Sequence, residues 1–179
     1  MAAASTVRIT GASGNDPTRC WEENAPSFRR ILARLLPEAE RHNVRLAIEP
    51  FSSLRMDMSF LHTLDETLDY VDEFDSPYLG VVFEVNNTWI ERRLYRNIAE
   101  RHRRFFIVQV NDFKIGTLCA SQRVVMGDGD IPLRRILPAI RDAGYDGYFD
   151  IELIGPAIEE EGYESVVPRA NAAFQALWA

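Results

Sequence analysis

LGVVFEVNNTW, residues 79–89, decides the fold. Its first part is an apolar run that ends on a carboxylate, Glu84, set between Phe83 and Val85. Side chains alternate across a strand, so Glu84 faces the opposite way from its two apolar neighbours. The run predicts a strand over Tyr78–Val85 with its polar residue near the carboxyl end. Taken singly, such a residue is a solvated strand end.

Working outward, the pattern recurs. Glu49 stands between Ile48 and Pro50 in LAIEPF, residues 46–51, within a strand expected over Val44–Phe51. Gln109 stands between Val108 and Val110 in a strand expected over Phe105–Val110. Glu152 stands between Ile151 and Leu153 in a strand expected over Tyr148–Ile154. A short β-branched strand, Val7–Thr10, comes first, and a further short one is expected near Val124–Met126.

Helical segments separate these strands. Trp21–His42 carries Phe28, Ile31, Leu32, Leu35, Leu36 and Ala39 near a 3.6 period, with Pro37 as a point of kinking or division and Asn43 as its end. Thr63 and Glu66 have capping-box spacing ahead of Leu64, Leu68, Val71 and Phe74. Helices are also expected over Glu91–Arg104, from Asp130-Ile131-Pro132 to Ala143 with a stop at Gly144, and over Ser165–Trp178. Strands alternating with helices predict a parallel sheet with helices packed on it.

The four strand-end residues Glu49, Glu84, Gln109 and Glu152 then share one face. In a barrel that face is the interior, and its carboxyl end is where active sites form. Three carboxylates and an amide oxygen that converge there repel one another unless a positive charge lies between them. A divalent cation with oxygen ligands is the simplest solution. The steps from position 49 to 84 and from 84 to 109 bracket the ~30 residues of a βαβ unit, and the longer step to 152 leaves room for the extra short strand.

LAIEPF, LGVVFEVNNTW, IVQVND, RVVMGDGDI and AGYDGYFDIEL, in this order, resemble the successive strand motifs of the sugar-phosphate isomerase/epimerase family, the xylose isomerase-like TIM barrels. The resemblance runs from about Val7 to the C-terminus. It implies a divalent metal held by Glu49, Glu84, Gln109 and Glu152, manganese ahead of magnesium, cobalt or zinc. It also implies that Glu49 and Glu152 are the catalytic acid/base pair of an isomerase or epimerase that handles a small sugar or keto-sugar derivative through an enediolate. A dehydratase on the same scaffold and a non-catalytic half-barrel that binds a ligand or partner are the alternatives. The family usually has Asp where Glu84 stands, His where Asn87 stands, and often His where Gln109 stands; hydroxypyruvate isomerase-like members carry Gln there. By the same resemblance Asn87, Asp112 and Arg123 are expected to contact substrate, with a turn residue as the alternative for Asp112 and a surface arginine for Arg123. Lys114, also just after Gln109, is expected to line the same mouth, and Trp89 is expected to be either an apolar wall for substrate or a core aromatic between layers.

The resemblance aligns Val7–Thr10 with the third strand of the family barrel. The expected fold is therefore an incomplete (β/α) TIM-type barrel of about six parallel strands, corresponding to strands 3–8, where a complete barrel has ~250 residues. Residues 1–6 are expected to be a disordered lead and 7–179 one domain. Unpaired edges predict a homodimer, or a partner chain that completes the barrel.

The formal net charge is −7, which disfavours nucleic acid as a partner. The two cysteines, Cys20 and Cys119, form no metal or disulfide framework and suit a cytoplasmic protein. No apolar run suggests a membrane span. The three histidines, His42, His62 and His102, lie away from strand ends and read as structural, which weighs against the related endonuclease IV class with its histidine-rich zinc cluster. Gly11-Ala12-Ser13-Gly14 lacks the spacing and lysine of a phosphate loop and reads as an ordinary βα loop.

Overall fold

A computed structural model describes residues 5–9, 18, 20–119 and 121–178. Five parallel strands follow one another in space as in sequence: β1 (Ser5–Ile9), β2 (Val44–Ile48), β3 (Leu79–Glu84), β4 (Phe105–Val110) and β5 (Tyr148–Ile151). The helices are α1 (Trp21–Arg41), α2 (Leu64–Asp72), the single turn α3 (Val85–Thr88), α4 (Leu94–Arg101), α5 (Leu133–Asp142), α6 (Pro156–Glu161) and α7 (Tyr163–Trp178).

The sheet is curled into a half-barrel. Flat strands spaced ~4.8 Å apart would hold β1 and β5 roughly 19 Å from one another. Instead Arg8 of β1 hydrogen-bonds Glu152, just beyond β5, at 2.8 Å. The helices pack on the outer face. There Ile48, Val81, Phe83, Val108 and Val110 meet Leu32, Leu64, Leu68, Ile136, Leu137 and Ile140 in one apolar core. The inner face carries a separate small cluster, Ala47, Val82 and Phe106, with the Arg45 guanidinium 4.9 Å from the Phe106 ring centre.

Several expectations are adjusted. Among the described residues the sheet has five strands, and the one expected near Val124–Met126 is not among them: Val124 makes only an isolated antiparallel bridge to Asp112, because the Gly127 and Gly129 turn leaves too short a run to pair with β4 or β5. β4 and β5 pair directly instead. β1 begins at Ser5, so Ser5 and Thr6 belong to the sheet rather than to a lead. Thr10 and the Gly11–Gly14 loop lie outside the described residues.

Pro37 leaves α1 continuous, but Ile31 and Leu35 face outward, so its buried stripe is Ala25, Phe28, Leu32 and Ala39. Asn43 ends α1 at φ 53° and Gly144 follows α5 at φ 94°, both in the left-handed region. Half of the capping box forms. The Thr63 side chain accepts from Glu66 N at 3.1 Å, while the Glu66 carboxylate takes His62 N. The helix expected over Glu91–Arg104 is shorter, α4 with a 3-10 turn over His102–Arg104. Among the described residues no helix is long and apolar enough to cross a membrane.

Candidate active site

Four in-phase residues meet at the carboxyl end of the inner face. Glu84 closes β3 and sits beside Gln109 of β4 in register, and Gln109 sits beside Asp150 of β5. Glu49 follows β2 directly, its backbone N–H donating to Ile9 O at 3.2 Å. Glu152 follows β5, its N–H donating to Val110 O at 3.2 Å. Both therefore extend their ladders by one rung and keep the alternation that aims them inward.

Glu84 is fully buried. Its Oε1 accepts from Asn111 Nδ2 at 2.6 Å and its Oε2 from Asn87 N at 2.6 Å, the latter capping α3. Burial pushes its carboxyl upward, against the opposing pull of Arg123 and these two donors. Glu49 is pushed up to about 8, first by burial and then by the neighbouring Glu84 and Glu152 carboxylates, while Arg8 and Arg123 oppose the shift. Gln109 donates Nε2 to Asp150 Oδ2 at 2.9 Å.

Two guanidiniums are interleaved with the three carboxylates. Arg8 Nη1 lies 2.8 Å from Glu152 Oε1, and Arg8 Nε lies 3.6 Å from Glu49 Oε2. Arg123 Nη2 lies 3.8 Å from both Glu84 Oε2 and Glu152 Oε2. A cavity of about 190 Å³ opens over them, with Arg8, Glu49, Asn87, Arg123 and Glu152 in its wall and Phe51, Met58 and Ile154 as its apolar side.

The expected constellation is thus brought together in Glu49, Glu84, Gln109 and Glu152, with Asn87 and Arg123 beside it. Two expected substrate residues are not. Asp112 is buried beside the 126–131 loop. Its Oδ1 accepts from Phe113 N and Ile131 N, and its Oδ2 from Gly127 N and Gly129 N. Four backbone donors commit this carboxylate to holding the loop, so it does not face the mouth. Trp89 packs against the outer core, and the apolar wall is Phe51, Met58 and Ile154 instead. Lys114 is exposed on another surface, near Val124 and Ile158.

Arg8 was not anticipated. The signal was present, because Arg8 is flanked by Val7 and Ile9 as each of the four strand-end residues is flanked by apolar neighbours.

The donor set suits a hard divalent cation: three carboxylates and an amide oxygen. The buried oxygens Glu49 Oε2 and Gln109 Oε1 accept no hydrogen bond, which leaves both lone-pair sets for a cation. Among the described residues no three acidic, His or Cys side chains are closed on a common point; the guanidiniums stand between them. The residues fit a cation in kind; in their present placement they do not close on one.

The sequence profile of the xylose isomerase-like TIM barrel matches residues 2–172. No curated protein matches. Among solved structures, protein SMc04130 from Sinorhizobium meliloti 1021 superposes with a TM-score of 0.80 at 24% identity, covering 98% of this chain and 64% of that one. The IolI protein with a bound zinc atom gives a TM-score of 0.80 at 19% identity over 97% of this chain and 63% of its own. D-psicose 3-epimerase in the presence of D-fructose gives 0.75 at 16% identity over 98% and 65%. The chain spans less than two thirds of the length of each of these structures. The parallel half-barrel, its inward strand-end residues and the profile match over nearly the whole chain agree: the chain belongs to the xylose isomerase-like TIM barrel family.

Proposed function

We propose that the site is that of a divalent-metal-dependent isomerase or epimerase acting on a small sugar or keto-sugar derivative. The observation that carries this reading is that Glu49 and Glu152 both reach one small planar group, the Arg8 guanidinium, at 3.6 and 2.8 Å. A small planar substrate would enter the same gap once Arg8 is withdrawn, with the cation offsetting the negative charge of its enediolate. Glu49, Glu84, Gln109 and Glu152 would hold the cation, which when bound polarises the substrate carbonyl and favours negative charge on its oxygen.

The chain's own groups supply the proton work. Glu49 faces Glu152 across the Arg8 guanidinium and is suited to move a proton on the opposite side of a bound substrate. Glu152 lies in the cavity wall within reach of both guanidiniums and is placed to accept a proton. Arg123 and Asn87 line the same cavity and offer donors to substrate oxygens. Phe51, Met58 and Ile154 exclude water from one side.

The test joins metal analysis of chelator-free protein with turnover on a panel of ketoses and keto-acids. Glu49→Gln and Glu152→Gln should each cut turnover by about 10²–10⁴-fold while the fold persists. Near-normal turnover in either variant rejects the acid/base pair. The guanidiniums filling the space between the carboxylates favour a second reading, a binding half-barrel without turnover. Ligand binding with no conversion of any panel member by the parent protein would select it.

A further inference from the structure

Arg8 stands where the cation's charge is needed. Its guanidinium bridges Glu49, whose side chain is 4% exposed, and Glu152, at 17%, while Arg8 itself is 33% exposed and enters from the open side of the cavity. Arg123 is held differently. Its side chain is 5% exposed, it lies 3.8 Å from Glu84 and from Glu152, and its backbone N–H is fixed to Ile154 O at 3.0 Å. Of the two guanidiniums, Arg8 alone has solvent space into which to move.

Electrostatics point the same way. A guanidinium and a divalent cation set on the same two carboxylates repel each other, which favours exchange of one for the other. Coordination at roughly 2.0–2.6 Å also needs the oxygens that now face Arg8, Glu49 Oε2 and Glu152 Oε1.

From this geometry we infer that Arg8 is an internal competitor of the divalent cation: it holds Glu49 and Glu152 together in the cation's stead and must swing off them for the cation to bind. Arg8 thereby sets the cation affinity of the site, and its displaced guanidinium remains at the rim of the cavity. The inference rests on the reading of Glu49, Glu84, Gln109 and Glu152 as a cation site.

The experiment is calorimetric titration of the full 179-residue chain and its Arg8→Gln variant with Mn²⁺ at pH 7. Gln keeps a polar side chain and removes the charge. Arg8→Gln should bind Mn²⁺ at least about tenfold more tightly than the parent. Equal or weaker binding by the variant overturns the inference and leaves the cation site standing. Absence of Mn²⁺ binding by both proteins rejects the cation site and the inference together. Should Arg8→Gln not fold, the parent decides the matter by NMR under Mg²⁺ titration. The Arg8 Nε–H resonance, assigned by its loss in Arg8→Lys, should shift with saturation; an unmoved resonance at saturating Mg²⁺ overturns the inference.

Discussion

Gln109 and Asp150 lie opposite each other on β4 and β5, and Gln109 Nε2 donates to Asp150 Oδ2 at 2.9 Å. The bond fixes which end of the amide is which. With the nitrogen turned to Asp150, the carbonyl Oε1 is left buried without a hydrogen-bond donor. Outer partners of this kind typically change metal affinity by about 10–100-fold. Asp150→Ala should therefore weaken Mn²⁺ binding roughly tenfold, read by calorimetry, with an unchanged circular dichroism spectrum. Undiminished affinity would show that the amide needs no such partner.

Asp112 is expected to matter for stability. Its carboxylate takes four backbone N–H groups, joining the end of β4 to residues 127–131. Hydrogen bonds to a charged group contribute ~1.5–3 kcal/mol each and do not add fully. Asp112→Ala strands these buried donors and should cost about 3 kcal/mol or more, seen as a lowered midpoint of urea unfolding. A loss under ~1 kcal/mol would mean that water replaces the carboxylate.

Gly80 lies on the inner face against Phe106. A Cβ there would meet Arg104 O at 2.5 Å and the Phe106 ring at 2.8 Å. The first of these is backbone and yields little. Gly80→Ala should destabilise by roughly 1–3 kcal/mol, as overpacking does. Unfolding at the parent's urea midpoint would show that β3 and β4 separate without strain.

The site was legible wherever direction depends on local alternation. Glu49, Glu84, Gln109 and Glu152 each sit between apolar neighbours on a strand or one rung beyond it, so their common face follows from chain geometry alone. β4 occupies the expected Phe105–Val110 for the same reason. Side chains in turns were not legible. Asp112 comes just after Gln109 and was expected at the mouth by resemblance, yet the 127–131 turn folds back and takes its oxygens. Trp89 reads from the sequence as a substrate wall or as a core aromatic, and the single-turn helix α3 turns it toward the outer core. Arg8 depends on curvature. Its partner Glu152 is 144 residues away, and only the curl of the sheet brings them together.

Glu91 gives a pH dependence independent of the mouth. Its Oε1 accepts from Leu64 N at 2.6 Å and its Oε2 from Asp65 N at 3.3 Å, so it caps the start of α2 from 26 or 27 residues away. Burial raises it from 4.5 to about 7, although the two backbone donors pull the other way. The folded state therefore holds this proton more tightly than the unfolded chain. Its contribution to stability is complete below about 4.5 and is lost as pH rises toward about 7. Glu91→Gln keeps an acceptor for Leu64 N and removes the titration. Urea midpoints measured at pH 5 and pH 7.5 should fall less in Glu91→Gln than in the parent. Identical falls would assign the slope to other carboxyls.

Self-association is the last expectation. Among the described residues β1 pairs only with β2 and β5 only with β4, so each leaves one edge of backbone donors and acceptors unpaired. Both edges also expose apolar side chains: Val7 is 49% exposed and Tyr148 75%. Open edges of this composition template pairing with a second strand. The 179-residue chain, studied alone, should therefore form a dimer at micromolar concentration, with light scattering giving twice 20.5 kDa. Val7→Lys places a charge on one edge and should shift the population toward monomer if β1 joins the copies. Tyr148→Lys should do so if β5 does. A parent chain that stays monomeric and melts cooperatively at every concentration would show that both edges are protected without a second copy.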